Sequence, residues 1–410
     1  MISKDRILFA AAEKLIRADM VEKDHALGWL LMGIARHPLL GLWVFKGGTC
    51  LKKCFFETYR FSEDLDFTVP SGMIYEADAY RAALVECTRR IEAESGVRFP
   101  ADGIEIKESC DKAGRVTFSA KISYRGPLMM KTGTPPRIKI DLTQHELIVD
   151  DPDSRPIRHF YPDALKPAVA IRCYSANEIL AEKTRALFER QDRARDLYDV
   201  VNILRCYREH IDARRASAIL KAKFAFKSLP APSVEGIIAK IDFGAIRANW
   251  APQLKHQLPV VPPVESYFDD LRETALLWVE GVPAVQRDVP IPPNHEEESI
   301  PPVAFPQLQQ EELARRVPLS HGVDSAFGRL ELIHYAARNR LCVEIFSYGV
   351  IHLVEPYALR MPRSGNPLLY VQELLGEGVP VERMKTFRVS EIQTVRVTEK
   401  SFRPRYRVEL

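Results

Sequence analysis

Residues 44–69 read VFKGGTCLKKCFFETYRFSEDLDFTV, and the way this run must fold constrains the rest of the chain. An apolar run ends in Gly47-Gly48-Thr49, and beyond it two aspartates, Asp64 and Asp66, stand one residue apart. Strand side chains alternate between faces, so Asp64 and Asp66 would project from one side, about 6.6 Å apart along the strand. Leu65 and Phe67 would then face a core. Two carboxylates fixed on one face of a rigid strand suit a hard divalent cation such as Mg²⁺, which prefers oxygen ligands and keeps part of its water shell. Gly47 and Gly48 let the backbone approach a ligand closely, and a helix beginning near Thr49 would offer free N–H groups to triphosphate oxygens. A metal shelf beside a phosphate cradle is what nucleotidyl transfer needs.

Working outward, Leu8, Ala11, Ala12, Leu15 and Ile16 recur at helical spacing, as do Leu27, Leu30, Leu31 and Ile34, and Pro38 stops the second pattern. The expected order is then a strand over 42–45, the glycine turn, a helix through Phe55, the aspartate strand, and an amphipathic helix over 75–94. Residues 103–108 and 116–124 alternate as strands. In RIKIDL, Ile138, Ile140 and Leu142 face one way and leave Lys139 and Asp141 together on the other. Further on, YSANEILAEKTRALFERQDRARDLYDVVNILRCYR opens with Ser175 and Glu178 at capping-box spacing. Lys183 lies four residues from both Ile179 and Leu187, towards the apolar side of that helix, where a lysine ordinarily snorkels to water. Asp196 and Asp199 share a face of the next helix, where acids favour a helix start.

The KGGT-x-L and R-F-S-E-D-L-D-F runs, with E-I-L-A-E-K and R-x-R-D-L-Y-D, resemble the AbiEii/AbiGii nucleotidyltransferase toxin family, a branch of the polymerase-β-like superfamily. The resemblance implies an α/β (α+β) polymerase-β-like core with a helical lobe. It implies metal-holding carboxylates at Asp64, Asp66 and Asp141, a catalytic lysine at Lys183 and an aspartate at Asp196. A nucleotide would meet Lys46, Gly47, Gly48, Thr49, Arg60 and Ser62. The cofactor would be Mg²⁺ or Mn²⁺ and the substrate an NTP, with a cognate antitoxin as protein partner.

The chain has 410 residues, 46% hydrophobic and 28% charged, with a net charge of +3, which describes an ordinary soluble protein of two or three domains. No run approaches the roughly 20 apolar residues of a membrane span, and the start lacks a signal-peptide core. Seven cysteines without a C-x-x-C pair indicate neither a disulfide framework nor zinc, and fit reduced thiols in a cytoplasm. Residues 1–280 form the expected transferase domain. Residues 281–318 carry eight prolines and Glu296-Glu297-Glu298, which reads as a semi-rigid linker.

In 319–410, a helix followed by about five strands suggests a small SH3-like barrel. It resembles a WYL-like domain through I-x-Y-A-x-R-N-R, V-E-P-Y-x-L-R and K-T-F-R-V-S-E-I, although Leu369-Tyr370-Val371 replaces the eponymous triplet. Eight Lys or Arg against two Glu between Arg383 and Arg407, with Phe387, Phe402 and Tyr406 nearby, would suit single-stranded nucleic acid.

The expected activity is transfer of NMP from an NTP to an acceptor hydroxyl with release of pyrophosphate, in a toxin–antitoxin or phage-defence system. The resemblance makes the tRNA 3′ end the leading acceptor. The alternatives are a catalytically silent nucleotide sensor acting through the WYL-like part, or an antibiotic-type transferase acting on a small molecule.

Overall fold

The aspartate strand, Asp64–Thr68, is the middle member of a seven-stranded sheet. Its strands are β1 (Val44–Lys46), β2 (Asp64–Thr68), β3 (Ile104–Cys110), β4 (Val116–Ser123), β5 (Arg137–Thr143), β6 (Asp153–Pro156) and β7 (Ala170–Cys173), in the order β3-β4-β5-β2-β1-β7-β6. β2 runs antiparallel to β1 and parallel to β5. The structure is a computed structural model describing residues 2–56, 58–111, 114–128, 135–282, 290–292, 326–361, 367–376 and 378–410. Most of the expected linker, 281–318, lies outside the described residues.

Period-two alternation sorts the sheet's faces as expected. Leu65, Phe67, Ile138, Ile140, Phe118, Ala120 and Ile122 are all buried, whereas Asp64, Asp66 and Asp141 stand on the opposite, half-buried face. The apolar face is covered by helices α2 (Ala18–Arg36) and α4 (Ala77–Ser95), α1 (Lys4–Lys14) packs on α2, and the short α3 (Gly47–Cys50) follows β1. Rings lock this side: Phe67 meets Trp43 and Phe45 at 5.4 and 5.1 Å, and Trp43 meets Tyr80 of α4 edge-on at 5.0 Å. Such pairs contribute about 0.5–1.5 kcal/mol each beyond their buried area. The expected strand at 42–45 is shifted, because Leu40–Leu42 forms a tight 3-10 turn first. The expected helix after the glycines is α3 followed by a wider π turn at Leu51–Phe55.

Helices α5 (Ala176–Glu189), α6 (Ala194–Cys206), α7 (Ala213–Phe226), α8 (Val234–Lys240) and α9 (Phe243–Leu254) follow the sheet. Ser175 does cap α5, accepting from the Glu178 N–H at 3.1 Å. The other half of the capping box does not form: the Glu178 carboxylate turns away to accept from the Val149 and Asp150 N–H groups and pairs with Lys223 at 2.9 Å.

All seven cysteines are free thiols, but their scatter in sequence hides a convergence. Cys50, Cys54 and Cys173 bring their sulfurs within 4.8 Å of one another in the core beneath the glycine turn. Hydrogen bonds from Cys50 and Cys54 pull the Cys173 thiol down to about 5.

The chain divides into two compact units. The first is Met1–Leu258 with Leu271–Pro283, and the second is Pro259–Asp270 with Ala284–Leu410. In the second unit, α10 (Ala326–Arg338) accompanies β8 (Leu341–Ser347), β9 (Val350–Arg360), β10 (Leu368–Gly376), β11 (Val379–Arg388) and β12 (Thr394–Ser401). The strands lie in the order β11-β10-β9-β8-β12. Among the described residues β11 and β12 pair on one side only, so this is an open sheet rather than the expected closed barrel. Phe387 and Phe402 are 4% and 7% exposed, and Phe402 packs with Cys342 and Tyr357 in the core. These two rings are therefore not available for stacking on a base. Several of the arginines expected to grip a strand are paired instead: Arg383 with Glu373, Arg388 with Glu391, Arg396 with Glu344 and Arg405 with Glu382.

Candidate active site

Strand register places the chemistry. Asp66 on β2 is the partner of Lys46 on β1 on one side and of Asp141 on β5 on the other, while Asp64 is the partner of Lys139. Paired residues on neighbouring strands project to the same face. The result is a row, Lys46–Asp66–Asp141, with Asp64 and Lys139 one step along it. Lys139 Nζ donates to Asp141 Oδ2 at 2.6 Å; burial works against the lysine's charge, but Asp141, Asp64 and Asp66 hold its pKa above the ordinary value.

The carboxylates of β2 are held under electrostatic stress. Burial pushes Asp66 up to about 6, against the pull of Lys46 and Lys183, and the charges of Asp141 and Asp64 add to the rise. Burial raises Asp64 as well, offset in part by Lys23 and Lys139. A carboxylate cluster poised this way has unmet demand for positive charge, which suits a divalent cation with oxygen ligands.

The glycine turn closes against this row. Gly47 has φ +81°, and a Cβ there would stand 2.3 Å from Asp66 Oδ2. A Cβ on Gly48 would stand 2.3 Å from Arg60 Nη2 and 3.3 Å from Ser62 Oγ. Both glycines are therefore required by close approach, and Gly47 also by its backbone. Thr49 is fully buried and its hydroxyl donates to the Asp64 carbonyl at 2.5 Å. That hydroxyl anchors the start of β2 rather than pointing at open space.

Behind the row stands a buried ion network that sequence reasoning captured only in part. Lys183 pairs with Asp196 at 2.7 Å and with Asp199 at 2.8 Å. Asp199, fully buried, also accepts from Arg60 Nε and Nη2, both at 2.7 Å, and from the Tyr59 hydroxyl at 2.8 Å. Arg60 completes its fork on Gln257 at 2.9 Å. Burial opposes every charge here, yet Arg60 and Lys183 hold Asp199 well below the usual carboxylate range, and Asp196 and Asp199 hold Lys183 well above the usual ammonium one. Lys183 thus does not snorkel to water. It is an ammonium clamped between two aspartates, close enough to Asp66 to lower its pKa.

A second buried pair supports Lys46. Its Nζ lies 2.8 Å from Glu182 Oε1, and Lys223 lies 3.6 Å from Glu182 Oε2. Burial would raise Glu182, but Lys46 and Lys223 bring it down to about 2.

The structure therefore brings all the expected residues into one region, with three reassigned in detail. Arg60 and Lys46 are committed to carboxylates, and Thr49 to a backbone carbonyl. Asp199, Glu182 and Lys139 were missed as site residues. Asp199 did share a helix face with Asp196, but nothing in the local pattern reveals that its partner is Arg60, 139 residues away.

The model of the family described as "Nucleotidyl transferase AbiEii toxin, Type IV TA system" matches residues 29–274. A search of curated proteins found no match. Among solved structures, the chain is similar to MenT4, a nucleotidyltransferase toxin from Mycobacterium tuberculosis H37Rv, at 21% identity and a TM-score of 0.47 over 68% of this chain and 90% of that one.

Proposed function

Because the chain belongs to the AbiEii nucleotidyltransferase toxin family, we propose that it transfers an NMP from an NTP to the 3′ end of tRNA with Mg²⁺ as its metal. The family makes it a nucleotidyltransferase and a toxin, and implies a cognate antitoxin. The observation that supports metal-dependent transfer is the row of Asp64, Asp66 and Asp141 on one face of adjacent strands, with Asp66 raised to about 6 and Lys183 near it, while the tRNA acceptor rests on the family resemblance.

Asp64, Asp66 and Asp141 would hold the metal, which when bound would polarise the phosphate under attack and offset its developing charge. In the reaction the acceptor hydroxyl attacks the α-phosphorus in line. A new P–O bond forms, the bond to the bridging oxygen breaks, and pyrophosphate leaves. Asp141 would complete the metal site or help take the hydroxyl's proton. Gly47 and Gly48 let the turn lie against Asp66 and Arg60, where its backbone would approach a phosphate closely. Lys183 supplies positive charge to the triphosphate, and Asp196 and Asp199 fix its ammonium so that little reorganisation is needed as the reaction proceeds. Arg60 acts through Asp199 as a positioning residue. For the second unit, the proposal keeps the WYL-like resemblance as a module that restrains or aims the toxin.

Labelled NTPs incubated with Mg²⁺, total RNA and the full-length chain test the reading. Label in tRNA that a 3′ exonuclease removes supports it. Label in a small molecule when RNA is omitted would favour the antibiotic-type alternative, and no transfer by folded protein would favour a silent sensor.

A further inference from the structure

Away from the carboxylate row, α2 and the segment after β6 bring together His25, His159 and Asp163. One donor atom from each lies within 4.8 Å of the others. His25 Nε2 is 3.0 and 3.2 Å from the two Asp163 oxygens, and His159 Nε2 is 3.6 Å from Asp163 Oδ1. Four ligands held tetrahedrally at about 2.1 Å stand about 3.4 Å apart, and the 3.2 and 3.6 Å from the His25 and His159 Nε2 atoms to the shared Asp163 Oδ1 bracket that spacing.

The hydrogen bond between His25 Nε2 and Asp163 accounts for only part of the arrangement. Among the described residues, neither nitrogen of His159 has a hydrogen-bond partner, nor does His25 Nδ1, although His159 is 8% exposed and His25 fully buried. Buried polar atoms are ordinarily satisfied. His159 Nδ1 cannot be the ligand, because it is turned onto Gly28, where a Cβ would stand 2.1 Å away. That leaves Nε2 directed at Asp163. The Trp29 indole N–H lies 3.4 Å from Asp163 Oδ2, the outer-shell donor that ligating carboxylates ordinarily have.

We propose that His25, His159 and Asp163 form a structural metal site, separate from the carboxylate row, for a borderline divalent transition ion of the Zn²⁺ class. Two imidazoles and one carboxylate suit that ion rather than Mg²⁺, which prefers oxygen alone. The Asp163 side chain is 20% exposed, which leaves an entry path and a coordination position for water. A bound ion would tie α2 to the segment following β6.

The full-length chain, stripped by a chelator, is titrated with Zn²⁺ against a chromophoric competitor and with Co²⁺ for its absorption spectrum. We expect tight Zn²⁺ uptake that persists in Asp66→Asn and Cys173→Ser and weakens at least about a hundredfold in His159→Gln. Co²⁺ should give ligand-field bands without the thiolate charge-transfer band that the three-cysteine cluster would add. Asp163→Asn keeps the size of the side chain and an oxygen acceptor for His25. It should lose Zn²⁺ while keeping the wild-type circular dichroism, which separates loss of a ligand from loss of fold. No tight uptake by the wild type, unchanged affinity in folded His159→Gln and Asp163→Asn, or loss confined to Cys173→Ser would overturn the site.

Discussion

Burial holds the Asp66 carboxyl at about 6 although Lys46 and Lys183 pull it down, whereas an aspartate in an unfolded chain titrates near 3.9. Between about pH 6 and 4 the folded state therefore binds a proton that the unfolded state has lost. Ionised Asp66 costs stability above pH 6, and the cost is relieved as pH falls towards 4. Asp66→Asn should accordingly melt higher than wild type at neutral pH, with the gain narrowing below pH 6, as melting curves across pH would show. Added Mg²⁺ should raise the melting temperature of the wild type and not that of the variant, since a ligand stabilises only the state that binds it. The reverse expectation holds at Asp199, which is buried with Arg60, Lys183 and Tyr59 on it. Asp199→Ala leaves buried Arg60 without a carboxylate and Lys183 with Asp196 alone, and should cost about 3–5 kcal/mol in urea unfolding, more than Asp196→Ala, whose carboxylate bonds Lys183 alone among this group. The aspartates were legible because alternation on a strand is local. The clamp on Lys183 was not, because it depends on how α6 packs against α5.

At the level of elements, the glycine turn and β2 form one device. Gly47 combines a left-handed backbone with a close approach to Asp66. Gly47→Ala should therefore cost about 1–3 kcal/mol from strain and displace the Asp66 carboxylate. The check is Mg²⁺-dependent binding of a fluorescent NTP analogue, which should fall more than the stability loss explains. Equal loss in binding with and without Mg²⁺ would place the effect on folding instead. Strands β2 to β5 could be read from their alternation. Strands β6 and β7 could not, since four residues each, DSRP and AIRC, are too few for a period to show. The C-terminal strands were legible as elements, but whether they close into a barrel is decided by which edges pair, and no periodic pattern encodes that. The aromatic rings near Arg383–Arg407 misled for the same reason: their sequence neighbours are basic, while Phe387 on β11 and Phe402 just beyond β12 are turned into the interior.

On the scale of the whole chain, the division into units does not follow sequence order, because Pro259–Asp270 belongs with the second unit. Within that unit Tyr335 donates to the Val260 carbonyl, Tyr267 to Asn339 at 2.7 Å, and Arg340 lies 3.7 Å from Asp270. A fragment starting at 320 lacks all three partners. It should unfold at lower urea than a fragment starting at 259, and equal midpoints would remove these contacts from the unit's stability. The sequence had suggested a break at the prolines after 281, where composition changes, and had no means of seeing that a segment before it folds with what comes after. One comparison decides whether the carboxylate row carries nucleotidyl transfer. Wild type and Asp66→Asn, both verified as folded, are given α-labelled NTP, Mg²⁺ and RNA, and label incorporated into RNA is measured over time. Loss of a metal-holding carboxylate should bring incorporation down to background; incorporation by the folded variant at the wild-type rate would contradict the assignment.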